Sequence, residues 1–231
     1  MLRQKIAGTI ALIVVGFFFY SCGNPAPNVV NSGKSDTSKN VASPEKSKQV
    51  ILFFGNSLTA GYGIEPSESY PSLIQQKIDS AHLSFTIINA GVSGETSAGG
   101  NGRIDWILKN PLDVFVLELG ANDGLRGIPV NETQKNLQSI INKVKKKYPK
   151  ALLVLSGMQI PPSMGQEYAL NFKNLFPALA AKNKMALVPF LLQGVAGDRQ
   201  LNQADGIHPT AEGAKIVAQN VWKVLQPLLQ Q

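Results

Sequence analysis

The sequence predicts an α/β domain, a three-layer α/β/α sandwich built on a five-stranded parallel sheet. Three observations carry that expectation. Five short apolar runs recur between residues 49 and 231. Helix-period segments separate them, each long enough to cross back over a sheet. Four of the five runs are almost free of polar residues, as strands buried on both faces must be.

The first run, VILFF (50–54), stops at Gly55. FTIIN (85–89), DVFVLEL (113–119), ALLVLS (151–156) and MALVPF (185–190) repeat its length and its β-branched or aromatic content. Helices are expected near 70–82, 100–109, 131–148, 167–184 and 210–226. In the third, Thr133 and Asn136 lie early and Lys145 to Lys147 close it, where cations complement the macrodipole. In the last, Ile216, Val217, Val221, Val224, Leu225 and Leu228 recur at spacings of three and four, which draws one apolar stripe. Five strands in such an alternation suit a flavodoxin-like order, with ligands beyond the carboxyl ends of the strands. Gly55–Ser57, Asn89–Gly94 and Gly120–Asp123 follow three of those ends, so three loops are expected to meet on one rim.

Composition narrows the function classes. The 231 residues are 44% hydrophobic, enough for one sizeable core. The formal charge of +7 suggests nucleic acid until it is divided. Residues 1–48 hold six Lys/Arg and two acids, which leaves 16 basic and 13 acidic residues for the rest. The excess is therefore +4 in the leader and +3 in the domain, and a nucleic-acid partner is not expected. KVKKKYPK (143–150) reads as a solvated helix end. No His/Cys/Asp/Glu cluster has metal-ligand spacing, and GETSAGGNG (94–102) lacks the lysine and spacing of a phosphate cradle. Neither a metal nor a cofactor is expected.

Residues 1–22 read as a signal segment. Arg3 and Lys5 precede IAGTIALIVVGFFFY, 15 residues without a charge and short for a membrane span of about 20 residues. Ser21 and Cys22 follow, and Cys22 is the only cysteine, so no intrachain disulfide can form. The pattern resembles a bacterial lipoprotein signal with Cys22 as the lipidated residue, although Phe19 and Tyr20 are bulkier than the residues usual there. An uncleaved signal anchor with an incidental cysteine is the other reading. Residues 23–48 are rich in Ser, Asn, Pro, Lys and Gly and read as a disordered tether, leaving 49–231 as the folded domain. The expectation is a lipid-anchored, monomeric protein of the bacterial cell envelope.

Two histidines exist. His82, in DSAHLSF, reads as an exposed or capping residue at a helix end. His208, in QADGIHPTAEG, has Asp205 three residues before it, Gly206 to allow a tight turn and Pro209 at a first helical position. Asp-Gly and His-Pro are also common loop dipeptides, so that segment alone decides nothing. The same holds for Ser57 in FFGNSLTAGYG: a turn serine attacks an ester only with a base, an orienting carboxylate and oxyanion donors.

Taken together, GNSL (55–58), NAGVSGETS (89–97), ELGANDGLRG (118–127) and the His208 segment resemble the four blocks of the GDSL/SGNH hydrolase superfamily, in the family's order. The likeness runs from about Val50 to Leu229 and is nearest to the arylesterase, lysophospholipase and thioesterase branch. It implies Ser57 as nucleophile, His208 as general base and then acid, and Asp205 as the carboxylate that orients the imidazole. It implies an oxyanion hole made of the Ser57 N–H, the Gly94 N–H and the Asn122 amide. The implied reaction is cofactor-free hydrolysis of small ester or lipid substrates: aryl esters, lysophospholipids or acyl thioesters. A carbohydrate O-acetylesterase and a non-catalytic ligand-binding lipoprotein are the alternatives. No G-x-S-x-G elbow surrounds any serine.

One position departs from the family. Asn56 stands where the aspartate of Gly-Asp-Ser-Leu is usual, which keeps an acceptor, adds donors and removes a charge. Activity is expected to survive, because Asp205 is the implied partner of His208. Among the other polar residues, Asp123 is expected to fix its loop, and Glu95 and Arg103 to orient substrate or simply to face water. The apolar MQIPPSM and FLLQGVAG stretches (158–164 and 190–197) are expected to line an acyl site.

Overall fold

The structure, a computed structural model, describes residues 48–230. The expected signal segment, Cys22 and all but the last residue of the expected tether lie outside the described residues.

Five parallel strands form one sheet in the order β2-β1-β3-β4-β5. They are β1 (Gln49–Gly55), β2 (Phe85–Gly91), β3 (Val114–Glu118), β4 (Leu152–Ser156) and β5 (Ala186–Val188). The helices are α1 (Ser57–Ala60), α2 (Tyr70–Ser80), α3 (Ser97–Ile107), α4 (Ala121–Leu125), α5 (Val130–Lys147), α6 (Gln166–Asn183) and α7 (Ala211–Leu229). α3, α5 and α6 pack side by side, and α2 packs on α7. This is the expected α/β/α sandwich with the flavodoxin-like order.

The core follows from the apolar runs. Ile51, Phe53, Phe54, Phe115, Val116 and Leu117 are fully buried, consecutive residues facing opposite helix layers. Each such side chain contributes about 1.5–3 kcal/mol of transfer free energy, before the entropy of ordering it is counted. β2 departs from the both-faces expectation. It is an edge strand with Ile88 exposed, and the Gln75 side chain occupies part of its open edge by donating to Phe85 O and accepting from Ile87 N.

Some boundaries move for local reasons. α3 begins at Ser97 rather than near 100, because the Thr96 side chain caps it by accepting from Gly99 N. β5 shrinks to three residues ahead of Pro189, which has no N–H to give to a ladder. α7 continues past Pro227 to Leu229, its last turns held by buried Leu225 and Leu229. Two short helices, α1 and α4, follow β1 and β3 directly; both lie in stretches too short to show a helical period.

In register, Gly55 pairs with Gly91 of β2 and with Glu118 of β3, so three strands end level. The loops after them stand on one rim.

Candidate active site

β1 ends at Gly55, and the chain turns at once into α1. The Asn56 side chain caps that helix by accepting from Leu58 N at 2.9 Å. Gly61, in the left-handed region, closes it by donating to Ser57 O. Ser57 is thereby the first residue of a four-residue helix at the rim. A helix this short has little macrodipole. What it offers is individual N–H groups, and among the described residues the Ser57 N–H has no hydrogen-bond acceptor.

The loop carrying Asp205 and His208 is pinned at its base. Asn202 and Pro209 form an isolated antiparallel bridge, Gln203 N donates to His208 O at 2.7 Å, and Thr210 N donates to Leu201 O. Gln203 Nε2 donates to Pro209 O at 2.9 Å and to Tyr62 O at 2.7 Å, which ties the histidine loop to the segment after α1. Nothing around Gln203 in the sequence signals this role. Tyr62 also packs on the imidazole, with ring centroids 4.7 Å apart.

Across this junction His208 Nε2 lies 2.8 Å from Ser57 Oγ, and His208 Nδ1 lies 2.6 Å from Asp205 Oδ2. Asp205 Oδ1 accepts the Ile207 and His208 N–H groups at 2.9 and 3.0 Å. The hydrogen bonds from His208 backbone and ring are the main reason its carboxyl is pulled down to about 2. The sign is plain: Asp205 remains a carboxylate as pH falls, and surrenders its charge only near pH 2.

The three residues implied as oxyanion donors follow three different strands, Ser57 after β1, Gly94 after β2 and Asn122 after β3. Gly94 is the third residue of a turn closed by Glu95 N to Val92 O, and its φ of +77° is one that a side chain would oppose. Its N–H, like that of Ser57, has no acceptor among the described residues. Asn122, in α4, gives one amide hydrogen to Glu95 O at 3.0 Å, which orients the amide and leaves its second hydrogen free. Ser57, Asn122 and His208 border one cleft of about 480 Å³; Gly94 is not among its lining residues. Met158, Ile160, Pro161, Phe190, Leu192 and Ile207 give that cleft apolar walls, as the MQIPPSM and FLLQGVAG stretches suggest. A larger depression, about 670 Å³, opens at the opposite end of the strands beside Gln49, Tyr148 and Lys150, far from any of these groups.

The other polar residues are structural. Asp123 is fully buried and accepts from Ser97 N and Oγ and from Thr133 Oγ1, so it fixes the α4 loop against α3 and α5. For Glu95 and Arg103, neither sequence expectation holds. Arg103 pairs with Glu95, donates to Ala90 O at 2.8 Å and lies 4.1 Å above the Phe54 ring, so it braces the strand ends instead of facing water or the cleft. His82 is exposed in the turn after α2. Among the described residues no group of three or more His/Cys/Asp/Glu is placed to hold a metal.

Sequence reasoning passed over Glu118, although a lone acid inside an apolar strand was a signal. It is fully buried at the end of β3, and burial raises its carboxyl to about 7 against the pull of Thr59 and Asn56. Among the described residues no cation offsets that desolvation.

Comparison with known proteins agrees with this geometry. Residues 53–216 match the GDSL-like lipase/acylhydrolase family. The chain is similar to the esterase TesA of Pseudomonas aeruginosa, at 40% identity over 78% of this chain and 90% of that one. It is 36% identical to thioesterase 1/protease 1/lysophospholipase L1 of Escherichia coli K12, over 78% of this chain and 84% of the other. The crystal structure of the psychrotrophic esterase EstA from Pseudoalteromonas sp., inhibited by monoethylphosphonate, superposes with a TM-score of 0.74. That pair is 32% identical and covers 80% of this chain and all of the other. With four motifs on one rim and a family match across most of its length, the chain belongs to the GDSL-like lipase/acylhydrolase family.

Proposed function

We propose that this protein is a serine esterase that cleaves carboxylic esters and thioesters of lipid-like acyl groups through an acyl-enzyme at Ser57. The observation that carries the reading is the unbroken line from Asp205 through His208 to Ser57 Oγ, with contacts of 2.6 and 2.8 Å, at the mouth of an apolar cleft. Ser57 Oγ attacks the carbonyl carbon while its proton passes to His208 Nε2. Asp205 holds the Nδ1 hydrogen and stabilises the imidazolium. The oxyanion takes the free N–H groups of Ser57 and Gly94 and the free amide hydrogen of Asn122. His208 then gives its proton to the departing alcohol or thiol, and water repeats the sequence to release the acid.

The apolar cleft walls favour acyl chains over sugar alcohols, which would leave hydroxyls unpaired. A rate series on p-nitrophenyl esters of increasing acyl length tests this. The expected optimum lies beyond acetate, and a strict preference for acetate would turn the reading toward the acetylesterase.

For placement, the supporting features are the charged leader, its 15-residue apolar run and the single Cys22. With them, the protein is a lipoprotein of the bacterial envelope. Mass spectrometry of the mature N-terminus is expected to find diacylglycerol on Cys22; an unmodified thiol would remove the lipid anchor from this account.

A further inference from the structure

We infer that Glu118 is the positioning residue for the nucleophile, gripping both flanks of Ser57 from beneath, and that residue 56 decides which of the two side chains carries the hydrogen between them. This rests on the reading of Ser57 as nucleophile.

The grip is geometric. Glu118 Oε1 accepts from Asn56 Nδ2 at 2.8 Å, and Oε2 accepts from Asn56 N at 3.1 Å and from Thr59 Oγ1 at 2.8 Å. The residue before Ser57 and the one two positions after it are thus held by one carboxylate. Asn56 Oδ1 completes the ring through Leu58 N. Room for this exists because position 55 is glycine: a Cβ there would lie 2.6 Å from Glu118 Oε2 and 2.1 Å from Thr59 Oγ1. Glu118 touches none of Ser57 Oγ, His208 or Asp205, so it acts only through the residues that it holds.

The charged and titratable groups around it are few. From α2, Tyr70 OH meets Thr59 Oγ1 at 2.7 Å, and burial together with Glu118 keeps that phenol protonated. From α3, Arg103 reaches only as far as Gly55 O, and is otherwise engaged with Glu95 and Ala90. His208 stands on the far side of Ser57, and neither β1 nor α1 offers a charge. The carboxyl therefore sits near neutrality rather than in the ordinary acid range. In the ionised form all three donors point at it, and hydrogen bonds to an ionised acceptor are roughly twice as strong as neutral ones. When it is protonated, its hydrogen must go to Thr59, which then turns to Tyr70, and the hold on the turn weakens.

Residue 56 matters because a hydrogen must lie between it and Glu118 Oε1. Asparagine supplies that hydrogen covalently. An aspartate would place two carboxylates in contact, and such a pair holds one shared proton that is lost only as pH rises.

The test measures the rate of fluorophosphonate labelling, with kcat and KM, for the full-length protein in mild detergent between pH 5 and 10. Glu118→Gln must turn its amide toward one of three donors. It is expected to slow labelling and kcat by about 10–100-fold with little change in KM, the cost of a misplaced reacting group. Adding Asn56→Asp to that variant puts an acceptor opposite the new amide, and should restore the rate to within a few-fold of the original. Asn56→Asp alone should work near neutrality and lose activity on the alkaline side, a limb that the parent lacks. A folded Glu118→Gln protein that labels at the parental rate would overturn the inference. So would a double variant no better than the single, or an Asn56→Asp profile without an alkaline limb, which decides the matter even if both proteins carrying Glu118→Gln misfold. Failure of the parent protein to label at all is a different result: it removes the esterase reading, and this inference falls with it.

Discussion

Replacing Ser57 with alanine is expected to lower kcat by about 10⁴–10⁶-fold. Among the described residues the hydroxyl is the only nucleophile in contact with His208 Nε2, and its removal leaves the imidazole with nothing to activate but water. A residual rate above the uncatalysed one should persist, because the oxyanion donors and the cleft remain. Stability should barely change: the side chain is small, and Asn56 rather than Ser57 caps α1. Hydrolysis of p-nitrophenyl esters, with a thermal melt alongside, checks both statements. Turnover within tenfold of the parent in a folded Ser57→Ala protein would mean that the chemistry runs through another group.

Asn122→Ala should cost about 10²–10³-fold in kcat, with KM nearly unchanged. The reason lies in timing. The negative oxygen exists only in the transition state and the tetrahedral intermediate, so a donor aimed at it stabilises those states and not the bound ester. Asn122 is suited to this because Glu95 O already holds one of its hydrogens, which fixes which edge of the amide faces the cleft. Asn122→Asp should be at least as damaging, since it presents an acceptor where a donor is needed. Parallel kcat and KM measurements on the two variants test the assignment; a loss confined to KM would recast Asn122 as a substrate-binding group.

These two residues also mark how much could be read from the chain. Their place was legible, because each stands just after an apolar run of strand length and ligands of parallel sheets sit beyond strand ends; their roles came from the resemblance of GNSL and ELGANDGLRG to the family's blocks. The strand positions, the three rim loops and the Asp205–His208 spacing were legible for a like reason: hydrophobic period and short-range turn chemistry act locally. The strand order was expected only because a strand–helix alternation of five strands suits a flavodoxin-like sheet. Glu95 and Arg103 were not. Besides pairing with Glu95, Arg103 donates to Ala90 O of β2 and reaches Gly55 O of β1, strand ends brought together only by the sheet register, and nothing within a few residues of either distinguishes a brace from a solvated side chain.

By itself, then, the sequence determined the α/β class, the positions of the strands and the identities of the residues on the rim. Only the tertiary structure decided what surrounds them: Gln203 joining the histidine loop to the chain beyond α1, Arg103 bracing the strand ends, and Glu118 beneath Ser57 with no cation among the described residues to share its burial. The physical reason is distance along the chain. Glu118 and Asn56 are 62 residues apart, and their contact exists because β1 and β3 pair with Gly55 level with Glu118. Periodicity tells each strand that it will be buried, but which polar groups meet at its end is settled only by the register in which the strands pack.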